Sequence, residues 1–373
     1  MSKQYTALGL MSGTSGDGVD ASIIRSDGKT SYEVISNKYF QYTNDIYQGI
    51  HSLKEKIHSI EDLSTYSKNI NSLEKDITLF HAQSTNDFCK NKEVDLVGFH
   101  GQTIYHNPKE KISKQLGNGA LLSQLTKKKI VYDFRQNDIR NGGEGAPLTP
   151  IFHQLILKQN KIDVPSCILN IGGISNITIV KNYNAYNFKS SDIGPGNCLI
   201  DLWVRKNSNS KFDKDGQLAS TGKCNEIILE QAQELFLNRP NHKNKSFDVN
   251  DFDVSFARGL SLEDGAATLT DFTGGIIGAA LFSFFPVDKN KFFKVIICGG
   301  GRKNKSLINK IKQRTNKNLI FESIDDYGID GDYVESQAFA YLAIRSFLGE
   351  PISFPDTTGC SKPLTGGSIF KFK

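Results

Sequence analysis

A strand, a short glycine-rich turn and a second strand occur twice in this chain, once near the N-terminus and once past residue 165. That repeat constrains the fold more than any other feature. The first copy is residues 5–11, a Gly/Ser/Thr/Asp cluster over 12–18, and residues 19–24. The second is residues 166–171, the turn Gly172-Gly173-Ile174-Ser175-Asn176, and residues 177–180. Apolar runs joined by a few small residues read as hairpins. The copies agree in pattern rather than in letters, which points to an internal duplication.

The elements around the hairpins give the class. Residues 55–90 read as helical, with Leu63, Ile70, Leu73, Ile77 and Phe80 near helical spacing. A strand over 94–99 ends at His100-Gly101-Gln102-Thr103. Residues 266–285 read as a helix, 294–298 as a strand before Gly299-Gly300-Gly301, and 334–348 as a last helix. Strands alternating with helices make an α/β protein. Residues 205–255 are polar and rich in Lys and Asn, and read as surface structure with a helix around 225–237.

A length of 373 residues suggests two domains. The Gly/Pro-rich run Gly142-Gly143-Glu144-Gly145-Ala146-Pro147 punctuates the chain, so we expect domains over 1–144, joined by the tail 350–373, and over 145–349. The 45 Lys and Arg exceed the 40 Asp and Glu by only 5, too few for a nucleic-acid binder. The longest apolar stretch, 274–287, is short of a membrane span, and the first residues lack a signal-peptide core. The six cysteines include no CxxC or zinc spacing. We therefore expect a cytoplasmic protein with neither nucleic acid nor membrane as partner.

The first turn carries Thr14, Ser15, Asp17 and Asp20. Hydroxyls and backbone N–H groups of a Gly turn can hold phosphate oxygens, and a carboxylate can hold Mg²⁺ through water. A plain hairpin turn stays open as the alternative. Residues 216–224 miss a Walker A loop, because five residues separate Gly216 from Gly222 and Cys224 replaces the Ser/Thr. Asp192 precedes the turn Ile193-Gly194-Pro195-Gly196-Asn197, where it reads either as a catalytic base or as a turn or N-cap residue. Asp133, Arg135, Asp138 and Arg140 form either a solvated face or a sugar-binding cluster, and spacing does not decide.

Taken together, the blocks are recognisable. They include residues 10–20, His100-Gly101-Gln102-Thr103-Ile104 with His106 and Pro108, Asp133-Phe134-Arg135, Asn170 to Asn176, Asp192 to Asn197, Ala267-Thr268-Leu269-Thr270, Cys298 to Gly301 with Asn304, and Glu335 with Ala338-Phe339-Ala340. This ordered series resembles the anhydro-N-acetylmuramic acid kinases, of the actin/hexokinase/Hsp70-like ATPase superfamily. The resemblance implies two RNase-H-like domains around an interdomain cleft, ATP and Mg²⁺ as cofactors, and a homodimer. It implies ATP contacts from Gly13, Thr14, Ser15, Gly16, Asp17, Gly18, Val19, Asp20, Gly172, Gly173, Gly299, Gly300 and Gly301. Asp192 is then the general base, and His100, Gln102, Thr103, Arg135 and Glu335 are sugar contacts. The implied reaction opens the 1,6-anhydro bond of 1,6-anhydro-N-acetylmuramic acid and phosphorylates O6, in peptidoglycan recycling.

Three positions depart from the family pattern: Gly16 where Leu is usual, Glu144 where Gln is usual, and Val249 where an Arg often follows the Lys245-Ser246 block. Gly16 is expected to loosen the hairpin. Two other readings are a non-catalytic nucleotide switch of the same superfamily, which would not need Asp192, and a kinase for an ordinary hexosamine.

Overall fold

A computed structural model describes residues 3–372, except 185, 239–246, 248, 286 and 288–290. Lys245 and Ser246 lie outside the described residues. The chain divides into two units, Met1–Lys161 with Asp332–Lys373, and Ile162–Gly331.

The first unit opens with β1 (Tyr5–Ser12), β2 (Gly18–Ser26) and β3 (Tyr32–Gln41), an antiparallel run. Then come α1 (Asn44–Lys54), α2 (Ile60–Thr65), α3 (Ser67–Phe88), β4 (Leu96–Asn107), β5 (Ile112–Leu116), α4 (Gly119–Thr126), β6 (Lys129–Tyr132), α5 (Gln136–Arg140) and α6 (Pro150–Gln159). Strand β4 lies parallel to both β1 and β6. The stretch 55–90, read as helical, holds α2 and α3: the Ser59–Asp62 capping box starts α2, and α1, capped by Thr43, precedes it.

The second unit repeats the plan. Its strands are β7 (Ser166–Ile171), β8 (Ile174–Val180) and β9 (Phe188–Pro195), again antiparallel. Helices α7 (Cys198–Asn207), α8 (Gln217–Thr221), α9 (Glu226–Asn238) and α10 (Leu262–Phe284) follow, then β10 (Phe293–Cys298), α11 (Lys305–Gln313) and β11 (Leu319–Ser323). The sheet order is β11-β10-β7-β8-β9, with β10 parallel to β7 and β11. In both sheets the second strand is antiparallel to a central first strand, flanked on its other side by parallel strands. That is the RNase-H-like α/β class expected for each unit. The chain ends in the first unit with α12 (Val334–Phe347), α13 (Pro355–Thr358) and β12 (Ser368–Phe370), which pairs with β6.

The unit boundaries differ from those expected. The break falls at 161/162 rather than 144/145, and α12 belongs with the first unit. The reason is close packing of α12 on β1, β2 and β4. A Cβ on Gly9 would sit 1.9 Å from the Ser336 carbonyl, and one on Gly98 2.3 Å from that of Phe339. Only glycine allows this approach. The opposite sheet face buries Leu8, Leu10, Ile23 and Phe99 against Ile46 and Ile50 of α1 and Ile70 and Ile77 of α3.

Helix α10 is long and apolar enough to cross a membrane by length and composition, but 67% of its most apolar window is buried inside the unit. Its Asp271 pairs with Lys310 of α11 at 2.6 Å. It is the core helix of the second unit, packing Ile277 and Leu281 against Leu169 and Ile297. All six cysteines are free, and all but Cys224 are buried.

Three histidines sit in the first unit's interior, His81, His100 and His153. His81 of α3 hydrogen-bonds the Ile77 carbonyl through Nδ1 at 2.8 Å and packs against Phe99. Burial pushes its pKa down to about 4 and that of His153 to about 3. Both are neutral in the fold and protonate in the unfolded chain near pH 6.5. Their contribution is complete above that pH and is lost as pH falls toward the folded values. We expect an unfolding free energy in urea that is flat from pH 8 to 7, then declines by roughly 1.4 kcal/mol per pH unit for each such histidine below about pH 6. A free energy unchanged down to pH 4.5 would contradict it.

Candidate active site

The loop between β1 and β2 carries the first group of candidates. Gly16 has φ +62°, and its N–H meets the Gly13 carbonyl at 3.2 Å, closing a tight turn. A Cβ there would also lie 2.9 Å from Ile50. The left-handed conformation favours glycine, so Gly16 meets this turn without strain. Thr14 and Ser15 are exposed. The Ser15 hydroxyl donates to Asp17 Oδ1 at 2.5 Å. Asp17 also accepts from the Tyr39 hydroxyl, whose pKa is raised by burial and then by the charges of Asp17 and Asp20. Asp20, in β2, is the cross-strand partner of Tyr39. A Cβ on Gly13 would meet only Ser15 Oγ, at 4.0 Å, so the loop backbone is open to a ligand.

Three residues without a sequence signal hold this loop. From α1, Lys54 Nζ donates to the Thr14 carbonyl at 2.7 Å, and the His51 ring contacts the Ser15 carbonyl at 3.0 Å. Tyr39 comes from β3. Gln102, expected as a sugar contact, is fully buried beneath the loop and bonded to Ser12 and Gly13.

His100 and Arg135 come together. Arg135 Nη2 donates to His100 Nε2 at 2.9 Å, and Nη1 to the Gly145 carbonyl at 2.8 Å. Arginine has no acceptor, so His100 Nε2 is bare and Nδ1–H donates to the Gly101 carbonyl, 2.8 Å away. Burial, then the Arg135 charge, holds the imidazole pKa well below its usual value. His100 is therefore a neutral ring that orients the guanidinium. Thr103 Oγ1 accepts from Gln115 at 3.2 Å, and Gln115 reaches Ser113, the partner of His106. Glu335 sits half-buried in the first turn of α12. The charged run 133–140 is not one solvated face: Asp138 is buried, accepting from the Gly145 N–H and the Thr358 hydroxyl at 2.8 and 2.7 Å.

In the second unit, the turn Gly172-Gly173 meets the start of α7. The Gly173 carbonyl accepts from the N–H groups of Gly196 and Cys198, and that of Gly172 from Asn197. The turn Gly299-Gly300-Gly301 follows β10, beside β7, and lies against Asn170 and Ile171. A Cβ on Gly299 would approach Asn170 Oδ1 to 2.4 Å, whereas one on Gly300 would meet only Asn197 Nδ2, at 4.0 Å. Both glycine turns thus converge at the same ends of two parallel strands. Arg302, 6% exposed, supports them: it donates to the Gly299 carbonyl and forks onto Asp325 at 2.6 and 3.0 Å.

Asp192 is not in a turn. It lies within β9, opposite Asn176, next to a register shift. Its Oδ2 accepts the Phe247 N–H at 2.9 Å. Phe247 is itself buried against Phe252, which stacks on Phe236. Nothing in the sequence near residue 247 announces this donor.

A family model described as anhydro-N-acetylmuramic acid kinase matches residues 5–372. The chain belongs to the anhydro-N-acetylmuramic acid kinase family. It is 56% identical over 373 residues to the anhydro-N-acetylmuramic acid kinase of Pelagibacter ubique, covering all of both chains. It is 37% identical to that of Zymomonas mobilis, with 97% of this chain and 99% of the relative covered, and 36% identical to that of Brucella canis, with 97% of each. Solved structures lie further off. The activator of 2-hydroxyisocaproyl-CoA dehydratase from Clostridium difficile matches at 12% identity and a TM-score of 0.42, over 91% of this chain and 94% of that one. That likeness is too weak to add to the sheet topology. As a member of its family the chain is an enzyme, a kinase of anhydro-N-acetylmuramic acid that uses ATP.

The Arg302–Asp325 fork has a measurable consequence. Burial would raise the Asp325 pKa, but the Arg302 bond and the Gly331 N–H outweigh it and bring it to about 2. Lysine cannot reproduce the two-pronged geometry. Arg302→Lys is expected to lower the stability of this anhydro-N-acetylmuramic acid kinase family member by about 1–3 kcal/mol in urea unfolding. Wild-type stability would show that charge alone holds the turn.

Proposed function

We propose that Asp192 is the general base of an ATP-dependent reaction that opens and phosphorylates 1,6-anhydro-N-acetylmuramic acid. Asp192 takes a proton from water as its oxygen attacks the anomeric carbon. The bond from that carbon to the bridging oxygen breaks, and the released O6 takes the γ-phosphoryl group of ATP. The products are N-acetylmuramic acid 6-phosphate and ADP, within peptidoglycan recycling. The observation that carries this reading is the fixed Asp192 carboxylate. The Phe247 N–H holds one of its oxygens in place.

The loop 13–20 is read as the phosphate hairpin, and Gly172, Gly173 and Gly299 to Gly301 as further ATP contacts. Open backbone at Gly13 and Gly300 supports both. Among the described residues no group of three or more His, Cys, Asp or Glu could hold a metal ion. Mg²⁺ carried by ATP needs only one or two carboxylates, and Asp17, which accepts from the Tyr39 hydroxyl, and Asp20, the cross-strand partner of Tyr39, fit that demand. The ion neutralises phosphate charge. Thr103, Arg135 and Glu335 are the proposed amino-sugar contacts, and His100, buried with both ring nitrogens engaged, is read as the group that orients Arg135. A cytoplasmic homodimer belongs to the same reading.

Asp192→Asn is expected to lower kcat by about 10²–10⁴ while ATP still binds by calorimetry. Turnover within about tenfold of wild type would remove Asp192 from the base role. Asp17→Asn and Asp20→Asn are each expected to raise the KM for Mg·ATP or lower kcat. Unchanged values for both would reject the hairpin as the phosphate site.

A further inference from the structure

We infer that Gln102 is a positioning residue for the loop between β1 and β2, and not a sugar contact. The inference builds on the phosphate reading of that loop. Gln102 is 0% exposed and Ser12 1% exposed. The Ser12 hydroxyl lies 2.6 Å from Gln102 Oε1 and 2.9 Å from the Gly18 carbonyl, and Gln102 Nε2 lies 3.0 Å from the Gly13 carbonyl.

Hydrogen-bond arithmetic fixes the amide. Gly13 and Gly18 offer carbonyl oxygens, which only accept. The Gln102 NH₂ therefore faces Gly13, because the flipped amide would set oxygen against oxygen there. Its oxygen then takes the Ser12 hydroxyl proton, which is shared with the Gly18 carbonyl. One buried amide and one buried hydroxyl thereby tie together both ends of the loop, Gly13 where it leaves β1 and Gly18 where it enters β2.

Strand geometry explains why the pair meets. Parallel pairing of β1 with β4 runs from Ala7↔Leu96 to Leu10↔Phe99, then shifts to Ser12↔Gln102. The irregularity sets these two residues opposite each other. The Gln102 amide has Ser12 and Gly13 as partners and also lies 3.4 Å from the Thr103 carbonyl. An amide committed in this way is poorly placed to read a sugar. It sets where the open backbone at Gly13 points, and through it the affinity for the phosphates.

The test uses the full-length protein with Gln102→Leu, Ser12→Ala and the double variant. Two readouts are needed: hydrogen exchange of the loop amides without nucleotide, and the separate KM values for ATP and for anhydro-N-acetylmuramic acid. We expect faster loop exchange in each variant. We also expect a KM for ATP raised about tenfold, a sugar KM within about twofold of wild type, and a double variant no worse than Gln102→Leu. A raised sugar KM with an unchanged ATP KM, or unchanged loop exchange, overturns the inference. Faster exchange with an unchanged ATP KM supports the clamp and counts against the phosphate reading, which the Asp17 and Asp20 variants test separately. If Gln102→Leu does not fold, Ser12→Ala carries the same readouts.

Discussion

The first unit depends on one close approach, that of α12 to the central strands. Gly9 and Gly98 leave no side chain between helix and sheet, so the backbone of α12 lies directly on β1 and β4. Phe339 is thereby carried into the layer beside the candidate site. Its ring packs at 4.6 Å from His100 and 5.2 Å from Phe134. His100, pinned by that ring and by the Gly101 carbonyl, presents a bare nitrogen to Arg135. A methyl group on either glycine would displace the helix, the ring and then the guanidinium. The placement of the half-buried Arg135 guanidinium is thus set by the absence of two methyl groups inside.

The two units share a strand plan but hold their glycine loops differently. In the first, a long loop projects from β1 and β2 and needs side chains from other elements: Gln102 below, Lys54 and His51 beside it. In the second, the turn Gly172-Gly173 is too short to project. Its carbonyls cap the N–H groups that open α7, and the buried Arg302, forked onto the exposed Asp325, supports the neighbouring Gly299 turn. A long loop presents more backbone to a ligand but has more freedom to lose on binding, so it benefits most from a buried clamp.

Much of this was legible in the sequence for a physical reason. Hairpins, buried strands and amphipathic helices leave local periodic signals, and the repeated strand–turn–strand announced both sheets. The helix expected around 225–237 is α9. What escaped was non-local. No period marks α12 as belonging to the first unit, because its partners Gly9 and Gly98 lie more than two hundred residues away. The left-handed φ of Gly16 depends on how the turn closes, which no local period marks. Gln102 stood in a recognisable block, yet its role depends on a register shift between β1 and β4 that no letter encodes.

Asp192 shows the same limit at the residue of greatest chemical interest. The sequence offered a carboxylate before a Gly/Pro turn, and the turn suggested an element end. The strand instead continues through Asp192 to Pro195, and pairing with β8 fixes the backbone. A backbone fixed in a sheet aims a side chain better than a loop does, because its φ and ψ are set by ladder bonds on the neighbouring strand. Rotation of the carboxylate is limited by the N–H of Phe247. That donor is anchored by its own side chain, through the Phe247–Phe252–Phe236 contacts. An apolar cluster thus helps to orient a carboxylate through the backbone N–H of a buried phenylalanine.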